Sequence, residues 1–211
     1  MTQSSISRID NYNLNKIRKQ LNDQFIQYGI PIKVAITQAQ MAAVTSFVND
    51  IYLEQFPALD SSHGEVYRRN SLNLYSTDNN GKICASMSMI IDTDEGLPEE
   101  YYFKQTLAPL RQNGSKILQI GRFATVGNRM TRTLINDYVQ LPYLVPYVLG
   151  YDAVVGMVRQ SDVDLYVKRY GAELICRDTG ETYGGKQELS TLIWRLADMR
   201  PNFVKKPQKA A

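Results

Sequence analysis

Residues 151–158, Tyr-Asp-Ala-Val-Val-Gly-Met-Val, form a nearly unbroken apolar run of strand length. A strand that does not alternate with polar residues is buried on both faces. It therefore needs a layer on either side, and helices are the usual cover. The chain has 211 residues, enough for one mid-sized domain. With 44% hydrophobic and 21% charged residues, it can bury a core and keep an ordinary solvated surface.

The rest of the chain supplies those layers. Ile9, Leu14, Ile17, Leu21 and Phe25 recur at helical spacing, which predicts a helix over 8–28, capped by Asp10 or Asn13 and ended by Gly29 and Pro31. A β-rich run at 32–38 follows, then a second helix over 39–55 stopped by Pro57. Two extended runs, 66–76 and 82–91, flank Thr77-Asp78-Asn79-Asn80-Gly81, a hairpin signal because Asn and Gly tolerate positive φ. In the second arm Ile83, Ala85, Met87 and Met89 are expected to face one way.

Gly96-Leu97-Pro98 opens a third helix, with Glu99 and Glu100 favouring its positive end; Pro109 is expected to kink or break it before Asn113-Gly114. Residues 116–126 read as a strand. Thr131 caps a helix towards Leu141, which Pro142 and Pro146 bend or end. After the buried strand, Ser161 or Asp162 caps a helix to Tyr170, with Gly171 at its C′ position. Residues 172–177 are a strand, and 188–197 a final strand or helix. The expected fold class is α/β: a single domain with a mixed central sheet and helices on both faces, over residues 31–200. Residues 1–30 are expected to be a helical extension and 201–211 a disordered tail.

Composition narrows the function. No apolar run is long enough for a membrane span, and the first residues lack the apolar core of a secretory signal, so a cytoplasmic protein is expected. The net charge of +3 does not argue for nucleic acid. Cys84 and Cys176 lie in apolar runs and read as buried, reduced thiols. His63 is the one histidine, so a zinc site is not expected.

Two segments sharpen the picture. Residues 96–126, GLPEEYYFKQTLAPLRQNGSKILQIGRFATV, resemble the central stretch of the bacterial N-acyl amino acid synthases. These belong to the GNAT acyltransferase superfamily and are related to the acyl-homoserine-lactone synthases. Residues 158–175, VRQSDVDLYVKRYGAELI, resemble the GNAT ending of helix cap, tyrosine and glycine before a strand. The resemblance spans about residues 30–178. The resemblance implies a GNAT-like fold and transfer of a fatty acyl group to the amine of an amino acid. The donor it implies is an acyl-phosphopantetheine thioester on an acyl carrier protein. Gln119 stands where the family pattern has Glu. The GNAT pyrophosphate loop is missing from VGNRMTRT, which favours the carrier protein over coenzyme A. A coenzyme A-dependent acetyltransferase and a non-catalytic acyl or amino acid binding module of the same fold are the competing readings.

Aminolysis of a thioester needs a neutral amine, a polarised carbonyl and a stabilised leaving thiolate. By resemblance, the Gly121–Val126 stretch supplies backbone N–H groups to the carbonyl, and Tyr166 is the leaving-group acid. Glu54 and His63 compete as base, and Gln119 sits at the third catalytic position. Arg122 is a charge inside a strand, so it needs a partner, either a substrate carboxylate or an internal Asp or Glu. Phe123, Ala124 and His63 complete the expected acceptor site. In an unbulged strand Gln119 and Arg122 face opposite sides. Arg129, Arg132, Lys168 and Arg169 form a positive set for the phosphate of the donor or an acidic carrier. The stretch Tyr138, Leu141, Tyr143, Leu144 and Tyr147 reads either as an acyl tunnel or as helix core.

Overall fold

The computed structural model describes residues 11–55, 70–94, 96–98, 100–127, 131–178 and 189–198. The elements are α1 (Asn11–Gln27), β1 (Lys33–Val34), α2 (Gln38–Gln55), β2 (Ser71–Thr77), β3 (Ile83–Ile91), α3 (Glu100–Gln112), β4 (Ile117–Thr125), α4 (Arg132–Val139), α5 (Leu141–Leu149), β5 (Ala153–Arg159), β6 (Glu173–Asp178) and β7 (Leu189–Arg195). Between β5 and β6 lies one helical segment. It is 3-10 over Gln160–Asp162 and π-helical over Leu165–Arg169. The seven strands form one sheet in the order β1-β2-β3-β4-β5-β7-β6. Only the β4–β5 pair is parallel.

Helices cover both faces, as the 151–158 run requires. On one face Leu14, Leu21 and Phe25 of α1, Tyr138 of α4 and Leu141, Tyr143 and Val145 of α5 pack with Leu74, Met87, Leu118, Val154 and Trp194 of the sheet. The N-terminal helix thus contributes to the main core. On the other face α3 packs through Leu107 against Ile90, Ile117 and Val155. There α2 packs through Val44 and Val48 against Tyr75 and Ala124. The stretch weighed as tunnel or core lies mostly in the core: Tyr138, Leu141, Tyr143 and Leu144 are buried, and Tyr147 is exposed.

Several expectations are corrected. The 32–38 strand is only two residues long, because Thr37 and Gln40 form a capping box for α2. Gln40 Oε1 accepts from the Ile36 and Thr37 N–H groups, both at 2.9 Å, and Thr37 Oγ1 accepts from Gln40 N–H at 3.2 Å. Ile83 does not share a face with Ala85, Met87 and Met89. The β2–β3 register shifts between Ser76 and Thr77, which turns Ile83 to the α2 side. Pro109 does not break α3, which runs through to Gln112. Pro109 and Gln105, whose carbonyl loses its helical donor, are both exposed, so water can serve that oxygen.

The helix capped by Thr131 ends at Val139, and Pro142 starts a separate α5 in its first turn, with Pro146 inside it. The Thr131 cap is formed: its hydroxyl accepts from Leu134 N–H at 3.1 Å. Neither Ser161 nor Asp162 caps its segment, which opens as a 3-10 turn after Arg159. Gly171, at φ 62°, ends that segment in the left-handed conformation expected of a C′ glycine. Cys84 is buried and Cys176 is exposed, and both are free thiols. Asp10, Pro57 and the 201–211 tail lie outside the described residues.

An ionic latch holds α3 to β3. Arg111 donates to both carboxylate oxygens of Asp92 (2.7 and 2.6 Å) and to both of Glu100 (2.7 and 2.8 Å). Glu100 Oε2 also accepts from Leu97 N–H at 3.2 Å, which folds Gly96-Leu97-Pro98 onto the helix start. The Arg111 hydrogen bonds hold the Glu100 carboxyl below the usual carboxylate range. A group whose pKa is depressed by folding contributes stability above its unfolded pKa and loses it as pH falls through the folded one. Arg111→Leu is therefore expected to lower the melting temperature at neutral pH. The gap to the parent should narrow as the pH falls below the carboxylate range, as thermal melts across that range would register.

Candidate active site

The site is built by β4. Its parallel pairing with β5 runs only from Ile117↔Ala153 to Ile120↔Gly156. Beyond that point β4 continues to Thr125 paired to β3, and β5 continues to Arg159 paired to β7. The two central strands therefore part at Ile120 and Gly156. At this fork Gly156 lacks a side chain because Ile120 occupies its place. A Cβ on Gly156 would lie 2.3 Å from Ile120 Cγ1.

Just past the fork β4 carries a bulge. Ser88 pairs with Gly121 and Ser86 with Ala124, so two steps on β3 match three on β4. Arg122 takes up the extra residue with φ 52°, in the left-handed region that side chains seldom adopt. The bulge changes which way the side chains point. Leu118 and Ile120 face the α1/α5 side, as an unbroken alternation requires. After the bulge Phe123 meets Tyr138 on that side, with ring centroids 5.3 Å apart, and Ala124 packs under α2. Arg122 also reaches α2: its Nη2 donates to Asn49 Oδ1 at 2.5 Å, and its guanidinium carbon lies 5.7 Å from the centre of the Tyr52 ring. Asn49 and Tyr52 are three apart on one helix face. The contacts that these residues give the guanidinium are an amide oxygen and an aromatic face.

Gln119 is fully buried at the paired end of β4, between Ile90 and Val155. It lies on the α2/α3 side of the strand, so the bulge brings Gln119 and Arg122 to the same side. More polar side chains line that side of β2 and β3. Ser88 Oγ donates to Asn73 Oδ1 at 2.9 Å, and the buried Ser86 Oγ has no hydrogen-bond partner among the described residues. Sequence reasoning missed Asn49, Tyr52, Ser86 and Ser88. Tyr52 continues the Val44–Val48 stripe of α2, but nothing local marks it or Asn49 as a contact of β4.

Tyr166 lies in the π-helical turn after β5, the strand that bounds the other side of the fork. Its ring packs edge-on against Trp194 at 5.6 Å and tilted on Tyr170 at 6.3 Å. Burial, with the Asp162 charge as a smaller contribution, pushes its phenol up to about 12. It stays protonated through the neutral range, so it is able to donate a hydrogen bond. Glu54 is exposed, near the C-terminal end of α2. Arg132 is exposed in the first turn of α4. Lys168 pairs with Asp164 at 2.7 Å, and the Arg169 guanidinium lies 5.7 Å from the Tyr170 ring centre. His63 and Arg129 lie outside the described residues. Among the described residues no cluster of His, Cys, Asp or Glu could hold a metal ion, and no helix is long and apolar enough to cross a membrane.

Residues 46–188 match the sequence profile of the family described as N-acyl amino acid synthase FeeM. Among solved structures, the chain is similar to FeeM, an N-acyl amino acid synthase from uncultured soil microbes. The TM-score is 0.66 at 16% identity, over 79% of this chain and 90% of that one. It is also similar to a polyamine N-acetyltransferase of Drosophila melanogaster (TM-score 0.56, 14% identity, 78% of this chain and 100% of that one). An acyl-CoA N-acyltransferase from Pseudomonas aeruginosa is a further likeness (TM-score 0.53, 12% identity, 77% and 95%). At such identities the structures speak for the fold, which is that of the GNAT acyltransferases. No curated protein matches the chain.

Proposed function

The chain belongs to the N-acyl amino acid synthase FeeM family, and from that premise we propose that it transfers a fatty acyl group from a phosphopantetheine thioester on an acyl carrier protein to the amine of an amino acid. The observation that carries the reading is the bulge at Arg122. It brings a guanidinium to the α2 side of the central strand, two residues beyond the fork where β4 and β5 part. The fork accommodates the thioester, and Arg122 holds the acceptor carboxylate by charge-assisted hydrogen bonds. Ala124 lies on the same side, Gln119 orients the acceptor without taking a proton, and Phe123 faces the opposite side against Tyr138.

In the reaction the neutral amine forms the C–N bond, the C–S bond breaks, and the proton lost by nitrogen balances the one gained by sulfur. The amine of a free amino acid is mostly protonated at ordinary pH; its neutral fraction attacks, its proton is released to solvent, and the departing thiolate takes one from solvent. Backbone N–H groups of the 121–125 stretch that point to the β4 edge left by β5 stabilise the developing oxyanion. Tyr166 supports the leaving sulfur. With its phenol near 12 against about 8.5 for a thiol, its role is a hydrogen bond to the thiolate, with no complete proton transfer. Tyr166→Phe is expected to lower kcat by about tenfold to 100-fold with little change in KM for the acceptor. Because the phenol stays protonated, the pH profile of the variant should keep the parent's shape, which steady-state kinetics across the neutral range would test. Arg132, Lys168 and Arg169 offer an acidic carrier a positive surface.

The reading is tested by mass spectrometry of lipid extracts from bacteria expressing the protein, beside an Arg122→Ala control. New N-acyl amino acids that disappear in the control support it and name both chain and acceptor. A folded protein that yields none contradicts it.

A further inference from the structure

We infer that the buried guanidinium of Arg18 is a binding site for a small oxyanion, a carboxylate or a phosphate, at the edge of the sheet away from the fork. The inference does not depend on the acyl transfer proposed above.

The site follows from how the sheet edge is built. β1 pairs with β2 at Lys33↔Tyr75 and Val34↔Leu74, and Ala35 N–H still donates to Asn73 O at 2.8 Å. The chain then turns into the capping box of α2, so β1 ends before it reaches Ser71. The polar side of α1 serves the edge instead. Asn22 Oδ1 accepts from Val34 N–H at 3.3 Å, and one turn earlier Arg18 Nη2 donates to the Ser71 carbonyl at 2.9 Å. Arg18 Nη1 donates to Asn15 Oδ1 at 3.0 Å. Ser71 pairs with Ile90, and Ile90 with Gln119, so this edge lies towards the closed end of the fork.

Both acceptors are neutral oxygens. Arg18 is only 5% exposed, its Nε is buried with no hydrogen-bond partner, and among the described residues no carboxylate pairs with it. Burial pushes the guanidinium below its ordinary value, and no neighbouring charge offsets the shift. Buried charges are as a rule paired, because an uncompensated one is costly. A guanidinium has five N–H donors in a planar fork, and the edge that includes Nε–H matches the oxygens of a carboxylate or phosphate. An oxyanion supplies the missing charge and the missing acceptor together. A neutral ligand supplies only the acceptor, and a metal cation neither. Asn15, which holds Nη1, is exposed. The guanidinium therefore lies directly beneath a surface side chain, and rotation of that amide gives an anion its way in.

The test is thermal unfolding of the full chain and of Arg18→Met, with inorganic phosphate and separately with acetate, each against chloride at equal ionic strength. Matched ionic strength removes general screening, and the variant reveals any stabilisation that the anion gives through the rest of the surface. The parent is expected to gain about 4 °C at a tenfold excess of anion over its Kd, along a curve that saturates. Arg18→Met should show no saturating gain. The anion with the lower Kd identifies the source as phosphate or carboxylate. Should Arg18→Met fail to fold, Arg18→Lys decides, since it keeps the charge and lacks the planar edge. A gain that is equal in parent and variant, a gain that does not saturate, or no gain in the parent with either anion would overturn the inference.

Discussion

Arg122→Ala is expected to reduce kcat/KM for amino acid acceptors about 100-fold, the kinetic equivalent of about 3 kcal/mol from a lost charge-assisted pair. The loss should fall on the acceptor and spare the donor. Release of thiol by slow hydrolysis of the acyl donor should continue, because the backbone groups past the fork are still present. A complication is built into the site: at φ 52° any residue with a Cβ is strained. Alanine keeps that strain and glycine relieves it. Arg122→Gly should therefore be more stable than Arg122→Ala, by about 1 kcal/mol, and equally inactive towards free amino acids. The pair separates the guanidinium from the bulge. If Arg122→Gly acylates amino acids at the parental rate, the side chain is not the anchor. Arg122→Lys, which keeps the charge but not the planar fork, should recover only part of the activity.

The second large effect is expected at the fork itself. Gly156→Val puts a branched side chain where Ile120 already lies, with Cγ1 at 2.3 Å and Cδ1 at 2.9 Å from the new Cβ. Ile120 is buried among Leu118, Tyr138 and Val158, so it has little room to yield. Overpacking of this kind costs about 3 kcal/mol. In a domain of this size that corresponds to a fall of about 10 °C in melting temperature. Removing the obstructing atoms should reverse part of it: the double variant Gly156→Val with Ile120→Ala is expected to melt above Gly156→Val alone. A double-mutant cycle by thermal or denaturant unfolding measures the coupling. Additive effects would mean that the two side chains do not compete for one space. Ile120 and Gly156 are the last parallel pair, so any residual folded protein should also show a raised KM for the acyl donor.

Much of the architecture follows from local chemistry. The Asp78-Asn79-Asn80-Gly81 turn, the Thr131 cap and Gly171 each act within a few residues of their own position, and each is formed as their types require. The apolar 153–158 run specifies a central strand because no exposed position could hold it. The family was also legible, through the spacing of the 96–126 and 158–175 segments. Two errors were local as well. The Thr37–Gln40 capping box was a readable signal that shortened β1. Pro109 was tolerated because the carbonyl it deprives is exposed.

The candidate site was legible in its residues and not in its geometry. Arg122 stands out in sequence as a charge in an apolar strand. Whether it shares a side with Gln119 depends on one extra residue, and the position of that bulge is set by how β4 pairs with β3. Its partners Asn49 and Tyr52 are some seventy residues away. They resemble any polar positions on an amphipathic helix until α2 is laid across the sheet. The fork likewise exists only because β4 and β5 stop pairing after four residues. Hydrophobic periodicity, caps and turns act over a few residues, so the sequence by itself determined the elements, their order and the family. Register, bulge and the meeting of α2 with β4 are contacts between distant segments, and they were decided only when the whole sheet closed around its core.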